Sequence, residues 1–490
     1  MQRAAAAAAG EITRRYGALA RERGVAVFAG TGNNGGDAWA VAGMLGRVGV
    51  RTRVSATGDP RTNDARAERD GAIPFVEPGA PDGGEGVAVD GLLGIGAEGA
   101  PRGAAAAAIR AIEGYRVRGA RVVALDVPSG VNATTGAVAG GAVIADCTVT
   151  FGSVKRGLLV ARGHAGAVVA VDVGFALPEG PTTPRLVTDG WVRSALPPIA
   201  FDAHKGLRRH VVVVGGSAGM AGAASLAARA ALASGAGIVK LVVEAESLAA
   251  AQLLVPEALA APWPADDAAA ASLVGGWPDV LLVGPGLGQA RDTRERIEQL
   301  LTVWRGPVVL DADALNVFAG DVTALTQLLA ARPALLTPHV AEFARLAGGS
   351  VADALAERFD AGAELAGRLG ATVLLKGVPT VVSDAAGRRL VSATGTAVLA
   401  TGGSGDVLGG IAATLLAQTG DALTAGALAA WVHGRAAEIA TRGQPVRAVT
   451  LAAVLRALPR AWRVRGTPPR YPVLARIAGV EAVLRRTARP

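Results

Sequence analysis

The chain has 490 residues, with 49 lysines and arginines against 41 aspartates and glutamates, which leaves a net charge of +8. At about 100 to 200 residues per domain, this length excludes a single small module. The positive charges are spread along the chain rather than gathered in one block, so they weakly favour an anionic ligand and give little support for nucleic-acid binding. A single cysteine excludes intramolecular disulfides and any multi-cysteine metal site.

The hydrophobic share of 51% is inflated by alanine, which buries little area. Two uncharged stretches, residues 127–145 and 211–228, are long enough to span a bilayer, but glycine, proline or serine residues interrupt both. The first residues lack the leucine-rich or valine-rich core of a secretory signal. We therefore expect a cytoplasmic protein with no membrane partner.

From residue 25 onward, short β-branched or leucine-rich runs alternate with longer alanine-rich runs, a pattern typical of parallel α/β proteins. This pattern predicts a first domain over residues 1–180, with strands at residues 25–29, 51–56, 86–92, 121–127, 146–151 and 167–173. Five prolines crowd the stretch between residues 178 and 198, where the periodicity fails. We expect a linker at residues 181–200.

The alternation then restarts and predicts a second α/β domain over residues 201–464. Its predicted strands lie at residues 211–214, 238–243, 279–283, 307–310, 334–336 and 371–375. Few β-branched runs occur after residue 400, so helices are predicted at residues 405–418, 422–439 and 451–462. A basic tail, residues 465–490, follows.

The 67 glycines are about twice the usual share of about 7%, and they cluster in loops. Gly30, Gly32 and Gly35 follow the first predicted strand and precede a helix, where backbone amides can hold a phosphate. A dinucleotide-binding fold also expects an acidic residue at the end of the second strand, and residues 53–56 contain none. This argues against an ordinary nicotinamide dehydrogenase, and a tight turn without a ligand remains the alternative.

Asp90 and Asp126 each stand at the carboxyl end of an apolar strand, beside glycine or proline turns. Because ligands bind beyond that edge of a parallel sheet, we expect these two residues to lie near Asn34 and Ser129. An all-oxygen cluster of this kind suits a hard cation better than a transition metal. Asp126 is the leading acid/base candidate, although a capping or turn role is the alternative for each aspartate alone.

Four segments, residues 32–37, 90–96, 126–130 and 151–157, resemble the motifs of NAD(P)H-hydrate epimerases of the YjeF N-terminal type, and the resemblance covers about residues 1–175. It implies a Rossmann-like three-layer domain that interconverts the R and S forms of the hydrate, with Asp126 as a catalytic residue. It implies a K⁺ ion held by Asn34, Asp90 and Ser129. The residues implied to contact the hydrated nucleotide are Asn33, Asn34, Gly35, Gly36, Asp37, Gly94, Ile95, Gly96, Ala97, Glu98, Gly99, Ala100, Asp126 and Lys155.

A second set of glycine loops follows the later strands. Residues 402–405 open a predicted helix, so successive amides and the helix dipole can meet a transferring phosphoryl group. Asp406 follows them and could accept the proton of an acceptor hydroxyl. A flexible turn with Asp406 as a helix-terminal charge is the alternative. The absence of a Walker A sequence excludes P-loop chemistry.

Seven segments are similar to the motifs of the ribokinase-like NAD(P)H-hydrate dehydratases, over about residues 200–460: 204–206, 215–217, 284–288, 311–316, 337–339, 376–377 and 401–406. The resemblance implies a ribokinase-like α/β domain, ADP with Mg²⁺ as the phosphoryl donor, and Asp406 as the catalytic base. Gly286, His339 and Asp406 would contact the hydrate, although a loop hydrogen bond is the alternative for His339. The residues implied to bind the nucleotide are Lys376, Gly377, Val378, Pro379, Thr380, Gly402, Gly403, Ser404 and Gly405. Thr396 stands where asparagine is common.

Together, the two resemblances lead to the hypothesis of a bifunctional repair enzyme for hydrated NADH and NADPH (NADHX and NADPHX). The first domain would interconvert the R and S hydrates, and the second would dehydrate the S form by transient phosphorylation from ADP. Two alternatives remain: a ribokinase-like kinase of small alcohols, and a first domain that only binds. We expect small-molecule partners, no nucleic acid and a homo-oligomer.

Overall fold

The computed structural model describes residues 1–176, 180–200 and 202–464, together with a strand at residues 473–475. The chain divides into two compact units. The first contains residues 1–176 and the strand at 473–475, and the second contains the described residues from 180 to 464.

The first unit is built on a seven-stranded parallel sheet. Its strands are β1 (Val25–Ala29), β2 (Thr52–Ala56), β3 (Val87–Gly91), β4 (Arg121–Leu125), β5 (Cys147–Phe151), β6 (Ala167–Val171) and, from the end of the chain, β17 (Val473–Ala475). Its helices are α1 (Gln2–Arg23), α2 (Asn33–Arg47), α3 (Asn63–Ala72), α4 (Gly103–Val117), α5 (Arg156–Val160) and α6 (Arg162–Ala165). The strand order is β17-β6-β5-β4-β3-β1-β2.

This order creates a switch point between the adjacent strands β1 and β3. The connection after β1 runs to β2, whereas the connection after β3 runs to β4, in the opposite direction along the sheet. Parallel sheets bind ligands at such a switch point, beyond the carboxyl ends of the strands. The glycine loop after β1 and Asp90 in β3 lie at this point. The strand register pairs Phe28 with Asp90, which brings the two carboxyl ends level.

Helix α1 begins in the run of alanines near the start of the chain, to which the periodicity assigns no element. Ala4, Ala5, Ala8 and Ile12 are buried on it and belong to the same core cluster as β1 and α2. Alanine has the highest helix propensity and its small side chain allows close helix packing. The run is therefore structural.

The second unit is built on a ten-stranded sheet. Its strands are β7 (Arg185–Leu186), β8 (His210–Val214), β9 (Ile238–Val243), β10 (Leu259–Pro262), β11 (Val280–Val283), β12 (Val308–Leu310), β13 (Ala334–Leu336), β14 (Thr372–Leu375), β15 (Thr380–Ser383) and β16 (Arg389–Ser392). Its longer helices are α8 (Ala221–Ala233), α11 (Thr293–Val303), α17 (Ser404–Thr419), α18 (Ala422–Ala440) and α19 (Leu451–Ala461). The shorter ones are α7 (Asp189–Ala195), α9 (Leu248–Leu254), α10 (Asp267–Val274), α12 (Asp313–Asn316), α13 (Val322–Leu329), α14 (Val340–Ala347), α15 (Val351–Ala356) and α16 (Ala361–Leu369).

The strand order of this sheet is β10-β9-β8-β11-β12-β13-β14-β15-β16-β7. The seven strands from β10 to β14 in this order, including β9 and β8, are parallel. Strand β15 is antiparallel to both β14 and β16. The second switch point lies between β8 and β11, where the loops after both strands meet. Helices α17 and α18 are almost wholly buried among alanine, leucine and valine side chains.

The predicted α/β class is confirmed, with a wholly parallel sheet in the first unit and a mixed sheet in the second. The six strands predicted in each part of the chain are present within one or two residues of their expected ends. The segment expected to be a linker, residues 181–200, differs from the expectation. It contains β7, which pairs with β16, and α7, whose Val192 is fully buried in the hydrophobic core of the second unit. A two-residue strand carries no periodicity that a sequence pattern could detect. The basic tail lies outside the described residues except for β17, which pairs with β6.

Within the described residues, no helix is both long enough and apolar enough to cross a membrane. The uncharged stretch at residues 127–145 forms turns and loops, and the one at residues 211–228 forms most of β8, a loop and the start of α8.

Candidate active sites

Asp126 follows β4 in a left-handed backbone conformation, with a φ of 63° that non-glycine residues seldom adopt. Its Oδ1 accepts hydrogen bonds from Lys155 Nζ at 2.5 Å and from Thr150 Oγ1 and the Phe151 amide, each at 3.2 Å. Lys155 Nζ also donates to the Phe151 carbonyl at 2.7 Å. The carboxylate and the ammonium are thus fixed side by side, and both side chains are largely buried.

Asp90 is fully buried at the end of β3, and Ser129 bridges to it from the loop after β4. Its Oδ2 accepts the Ser129 amide at 2.8 Å, and its Oδ1 accepts the Ser129 hydroxyl at 2.6 Å and the Leu92 amide at 3.2 Å. Burial raises the pKa of Asp90 to about 6, although these hydrogen bonds oppose the shift.

Asn34 joins the same region from the first turn of α2. Its Nδ2 donates to the carbonyls of Leu93 at 2.9 Å and Leu125 at 3.2 Å, whereas its buried Oδ1 has no hydrogen-bond partner. The switch point therefore gathers oxygen atoms from a carboxylate, an amide, a hydroxyl and two carbonyls around Asn34 and Asp90. This donor set fits a hard cation, and the unpartnered Oδ1 is an available ligand. Within the described residues, histidine, cysteine and carboxylate side chains form no metal-binding group of three.

The glycine loop brings the start of α2 against β1. A Cβ on Gly35 would lie 1.8 Å from the Gly30 carbonyl oxygen, so only glycine allows this approach. Asp37 follows in the same turn of α2; burial raises its pKa to about 7, and its Oδ1 has no hydrogen-bond partner. Asn33 is more exposed and accepts a hydrogen bond from Thr62 Oγ1 at 2.9 Å.

A cavity of about 550 Å³ opens beyond β3 and β4. The residues that the resemblance assigns to the hydrate and that line it are Gly94, Ala97, Glu98, Gly99 and Ala100. Ser129 and Arg102 also line it, and Ile95 is 61% exposed beside it. The structure thus places much of the predicted substrate loop on a concave surface, whereas Asp126 and Lys155 are not among the residues that line this cavity.

In the second unit, residues 402–405 form the turn into α17. Gly403 has a φ of 86°, which favours glycine, and a Cβ on Gly402 would meet no atom within 4 Å. The backbone at Gly402 is therefore open to the approach of a ligand, whereas the Ser404 amide already donates to the Thr401 carbonyl at 3.1 Å. An approach of this kind is needed for an anion to reach the start of a helix. Ser404 is buried, and its hydroxyl lies 3.5 Å from His433 Nε2 of α18.

Asp406 lies in the first turn of α17, directly after this loop. Burial, followed by the negative charge of Asp311, raises the pKa of Asp406 to about 7, while Lys376 acts in the opposite direction. A carboxylate with a pKa near neutrality is suited to accept and release a proton at physiological pH. This observation favours the acid/base role for Asp406 over that of a plain helix-terminal charge.

Lys376 directly follows β14, and its side chain reaches into a cluster of carboxylates. Its Nζ donates to Asp311 Oδ1 at 2.8 Å and lies 3.9 Å from Glu342 Oε2. Burial alone would lower the pKa of Lys376, but the charges of Asp311 and Glu342 outweigh it and raise that pKa. The Lys376 ammonium therefore balances the negative charges of Asp311 and Glu342. Lys376 also begins the predicted nucleotide-binding segment, residues 376–380.

His339 is the N-cap of α14. Its Nδ1 accepts the amides of Ala341 at 3.1 Å and Glu342 at 3.3 Å, and Glu342 Oε2 accepts the His339 amide at 2.7 Å. The local hydrogen bond that was the alternative for His339 is therefore present. The side chain is still 52% exposed, which leaves its other face open to a ligand.

Gly286, with a φ of 61°, lies at the switch point after β11, where its carbonyl accepts the Ser217 amide at 2.7 Å. Asp313 accepts the Gly288 amide at 2.9 Å and ties this loop to α12. The loops after β8, β11 and β12 therefore meet, as the parallel edge predicts.

Two family models match the chain. One, described as NAD(P)H-hydrate dehydratase, matches residues 211–460, and the other, described as YjeF-related protein N-terminus, matches residues 1–157. The bifunctional NAD(P)H-hydrate repair enzyme Nnr of Moorella thermoacetica is 35% identical over 92% of this chain and 90% of its own length. That of Salinibacter ruber is 37% identical over 89% of this chain and 87% of its own. The chain belongs to the family of bifunctional NAD(P)H-hydrate repair enzymes.

Solved structures agree with this family for the second unit. The ADP/ATP-dependent NAD(P)H-hydrate dehydratase from Bacillus subtilis, co-crystallised with ATP and Mg²⁺, has a TM-score of 0.51 at 30% identity and covers 57% of this chain and 98% of its own. A ribokinase-like superfamily protein from Enterococcus faecalis has a TM-score of 0.51 at 23% identity over 60% of this chain and 100% of its own. The latter shows the fold alone. The predicted ribokinase-like fold is confirmed.

The family motifs do not include every residue that builds these sites. Thr150, which contacts Asp126, is one of two polar residues in the otherwise apolar and fully buried strand β5, a pattern that could have drawn attention to it. Arg358, which contacts the 376–380 segment, lies among acidic and basic residues that give no such signal. The pairing of Asp311 with Lys376 spans 65 residues and was also not predicted.

Proposed function

We propose that this chain repairs hydrated NADH and NADPH through two activities. The first unit epimerises the R and S hydrates, and the second dehydrates the S form at the expense of ADP. Family membership supports both activities. The observation that carries the dehydratase proposal is Asp406, a half-buried carboxylate of raised pKa beside an open glycine turn at a helix start.

In the dehydratase step, Asp406 takes the proton of the hydrate's C6 hydroxyl, and the oxygen attacks the terminal phosphorus of ADP. The bond between this phosphorus and the bridging oxygen breaks, and AMP leaves. The phosphate then leaves C6 with the help of the ring nitrogen's lone pair, which releases inorganic phosphate and gives an iminium ion. Loss of a proton from C5 to water or a base restores the dihydropyridine. The amides at the start of α17 stabilise the charge on the transferring group.

In the epimerase step, Asp126 accepts the proton of the C6 hydroxyl while the bond between C6 and the ring nitrogen breaks, which gives an open-chain aldehyde. The ring nitrogen then attacks the opposite face of that aldehyde, and Asp126 returns the proton to its oxygen, which inverts C6. Lys155 holds the Asp126 carboxylate in place. The hydrogen bonds from Thr150 and the Phe151 amide fix the same oxygen, so the pair is preorganised. Residues 94–100 bind the rest of the nucleotide along the cavity wall. Asn33 to Asp37 complete the site at the start of α2.

We assign a K⁺ ion to Asn34, Asp90 and Ser129 of the first unit, and Mg²⁺ with ADP to the second. The bound K⁺ would supply positive charge at the switch point, and Mg²⁺ would neutralise charge on the donor phosphates. The K⁺ assignment is supported by the all-oxygen donor set and by the unpartnered Asn34 Oδ1. A rise in melting temperature with K⁺, absent in the Asp90→Asn variant, is expected; equal shifts in the two proteins would reject this assignment.

The nucleotide contacts are assigned to residues 376–380 and 402–405, and the hydrate contacts to Gly286, His339 and Asp406. A homo-oligomer and a cytoplasmic location complete the proposal. The molar mass in solution and the distribution of the protein between cell fractions test these last two points.

The deciding experiment incubates the purified full chain with mixed R and S hydrates, Mg²⁺ and ADP. We expect the absorbance of NADH to recover, with one AMP and one phosphate released per NADH. No recovery with either ADP or ATP would reject the dehydratase proposal. A phosphorylated product that persists would instead identify a kinase.

A further inference from the structure

Arg358 lies between α15 and α16 and is 5% exposed. Its Nη1 donates to the carbonyls of Lys376 and Pro379, each at 3.3 Å. Within the part of the chain that the structure describes, no carboxylate pairs with this guanidinium, and burial lowers its pKa. Burying a cation that only main-chain carbonyls contact costs free energy of folding. Such a residue is therefore expected to contribute to function.

The two carbonyls belong to opposite ends of the turn that joins β14 to β15. Between them, Gly377 has a φ of 150°, and a Cβ there would lie 2.1 Å from Arg358 Nη1. The guanidinium therefore fills the space beneath the turn, and only glycine fits above it. Thr380 Oγ1 donates to the Gly377 carbonyl at 3.1 Å and closes the turn from the other side.

Arg358 also holds the main chain of Lys376, the residue whose ammonium binds Asp311. Lys376 is thereby fixed at both ends. The turn is thus tied to the same carboxylates that surround Asp406.

A second arginine, Arg332, is also buried and also donates to main-chain carbonyls, so such contacts alone do not show what Arg358 does. Arg332 is 6% exposed, and its guanidinium donates to the carbonyls of Trp304 at 2.5 Å and Leu301 at 2.9 Å. Burial lowers its pKa as well. Those carbonyls lie at the end of α11, where the last carbonyls of a helix need donors. The carbonyls bound by Arg358 end no helix.

We propose that Arg358 is a positioning residue for the nucleotide, which shapes the 376–380 turn from beneath and adds an uncompensated positive charge under it. The inference rests on the proposed function, because that function assigns this turn to ADP. The guanidinium does not touch the hydrate site or Asp406, so its loss weakens ADP binding without removing the catalytic base.

The test compares Arg358→Met and Arg358→Lys with Arg332→Met in the full chain, by steady-state kinetics with ADP as the varied substrate. Methionine keeps most of the volume but loses the charge and both hydrogen bonds. Loss of two such bonds predicts a rise in the KM for ADP of about tenfold or more in Arg358→Met. The kcat at saturating ADP and the KM for the hydrate should change by less than about twofold. Arg358→Lys should fall in between, since it restores the charge and one donor.

Arg332→Met is the matched control. It should lower the melting temperature to a similar degree and leave the KM for ADP unchanged. A KM for ADP that rises equally in both methionine variants, or in neither, would overturn the inference.

If Arg358→Met fails to fold, Gly377→Ala displaces the guanidinium from above, and an unchanged KM for ADP in that variant would overturn the inference. A wild-type chain that does not use ADP would overturn the proposed function itself, which separates the two failures.

Discussion

The ammonium of Lys376 donates a 2.8 Å hydrogen bond to Asp311, a residue that is only 1% exposed. Lys376 supplies the positive charge for a cluster of acids at the second site, because Glu342 and Asp406 also interact with it. Removal of one partner leaves an uncompensated charge in the interior, whereas removal of both charges does not.

We therefore expect Lys376→Met to lower the free energy of unfolding by about 3 to 5 kcal/mol, since Asp311 would lose its partner. Lys376→Met combined with Asp311→Asn should recover a large part of this loss. Urea unfolding of the two single variants and the double variant measures the coupling. Additive effects in the double variant would contradict the pairing.

Asp406→Asn should abolish ADP-dependent dehydration and leave R-to-S exchange intact, because only the second site loses its base. NADH recovery measures the first activity, and the ratio of the two hydrates measures the second. Asp421→Asn, which alters an N-cap carboxylate of α18 outside either site, is the control and should retain both activities. Dehydration by Asp406→Asn near the wild-type rate would exclude Asp406 as the base.

The raised pKa of Asp406 also predicts how stability depends on pH. In the unfolded chain this carboxyl titrates near 3.9, whereas in the folded protein its pKa is about 7. The folded state therefore binds the proton more tightly. The stabilisation is present below about pH 4 and is lost as the pH rises to about 7.

Because Asp406→Asn carries no charge at any pH, it should be more stable than the wild type above pH 7, by at most about 4 kcal/mol. The difference should vanish below about pH 4. Chemical denaturation across this range measures it, with Asp421→Asn again as the control. The same titration should make the wild-type dehydration rate rise through about pH 7, since the ionised carboxylate is the active form. A variant that is more stable only at acid pH would contradict the sign.

Asp126→Asn should stop epimerisation and keep the left-handed turn, because asparagine tolerates this conformation better than alanine does. The free energy of unfolding should still fall, since Lys155 loses its counter-charge. In a mixture of hydrates, NADH recovery by this variant should slow to the spontaneous rate of exchange once the S form is used up. Asp126→Ala should lose the same activity and unfold at a lower temperature. Full recovery from the R form at the wild-type rate would remove Asp126 from the mechanism.

Gly402→Ala tests whether a ligand approaches the turn before α17. A Cβ at this position meets no protein atom within 4 Å, so the variant should fold normally. If ADP phosphates approach this backbone, the KM for ADP should rise several-fold. Gly349→Ala, where a Cβ also meets nothing, is the matched control and should leave the KM unchanged. Equal KM values in all three proteins would place the phosphates elsewhere.

Local pattern was sufficient for the strands that lie inside the sheets. Strands β1, β9 and β13 begin and end where the apolar runs do, because a strand buried on both faces consists of β-branched or leucine-rich residues bounded by turn formers. The edge rule for parallel sheets was also sufficient to predict that Asp90 and Ser129 lie together, and Asn34 contacts the Leu93 and Leu125 carbonyls at the ends of the same two strands. The strands that were not predicted are β7, β10, β15, β16 and β17, since each has only two to four residues and either lies at a sheet edge or pairs antiparallel with a neighbour.

The sequence by itself therefore determined the class of fold, the family and the identity of the acids at each strand end, because these depend on neighbours along the chain. Only the tertiary structure decided how their charges are balanced. Lys376 pairs with Asp311 across 65 residues, and Arg358 supports a turn 18 to 21 residues away. Such contacts depend on which strands are adjacent in the sheet, and the burial that shifts the pKa of Asp406 is set by that packing.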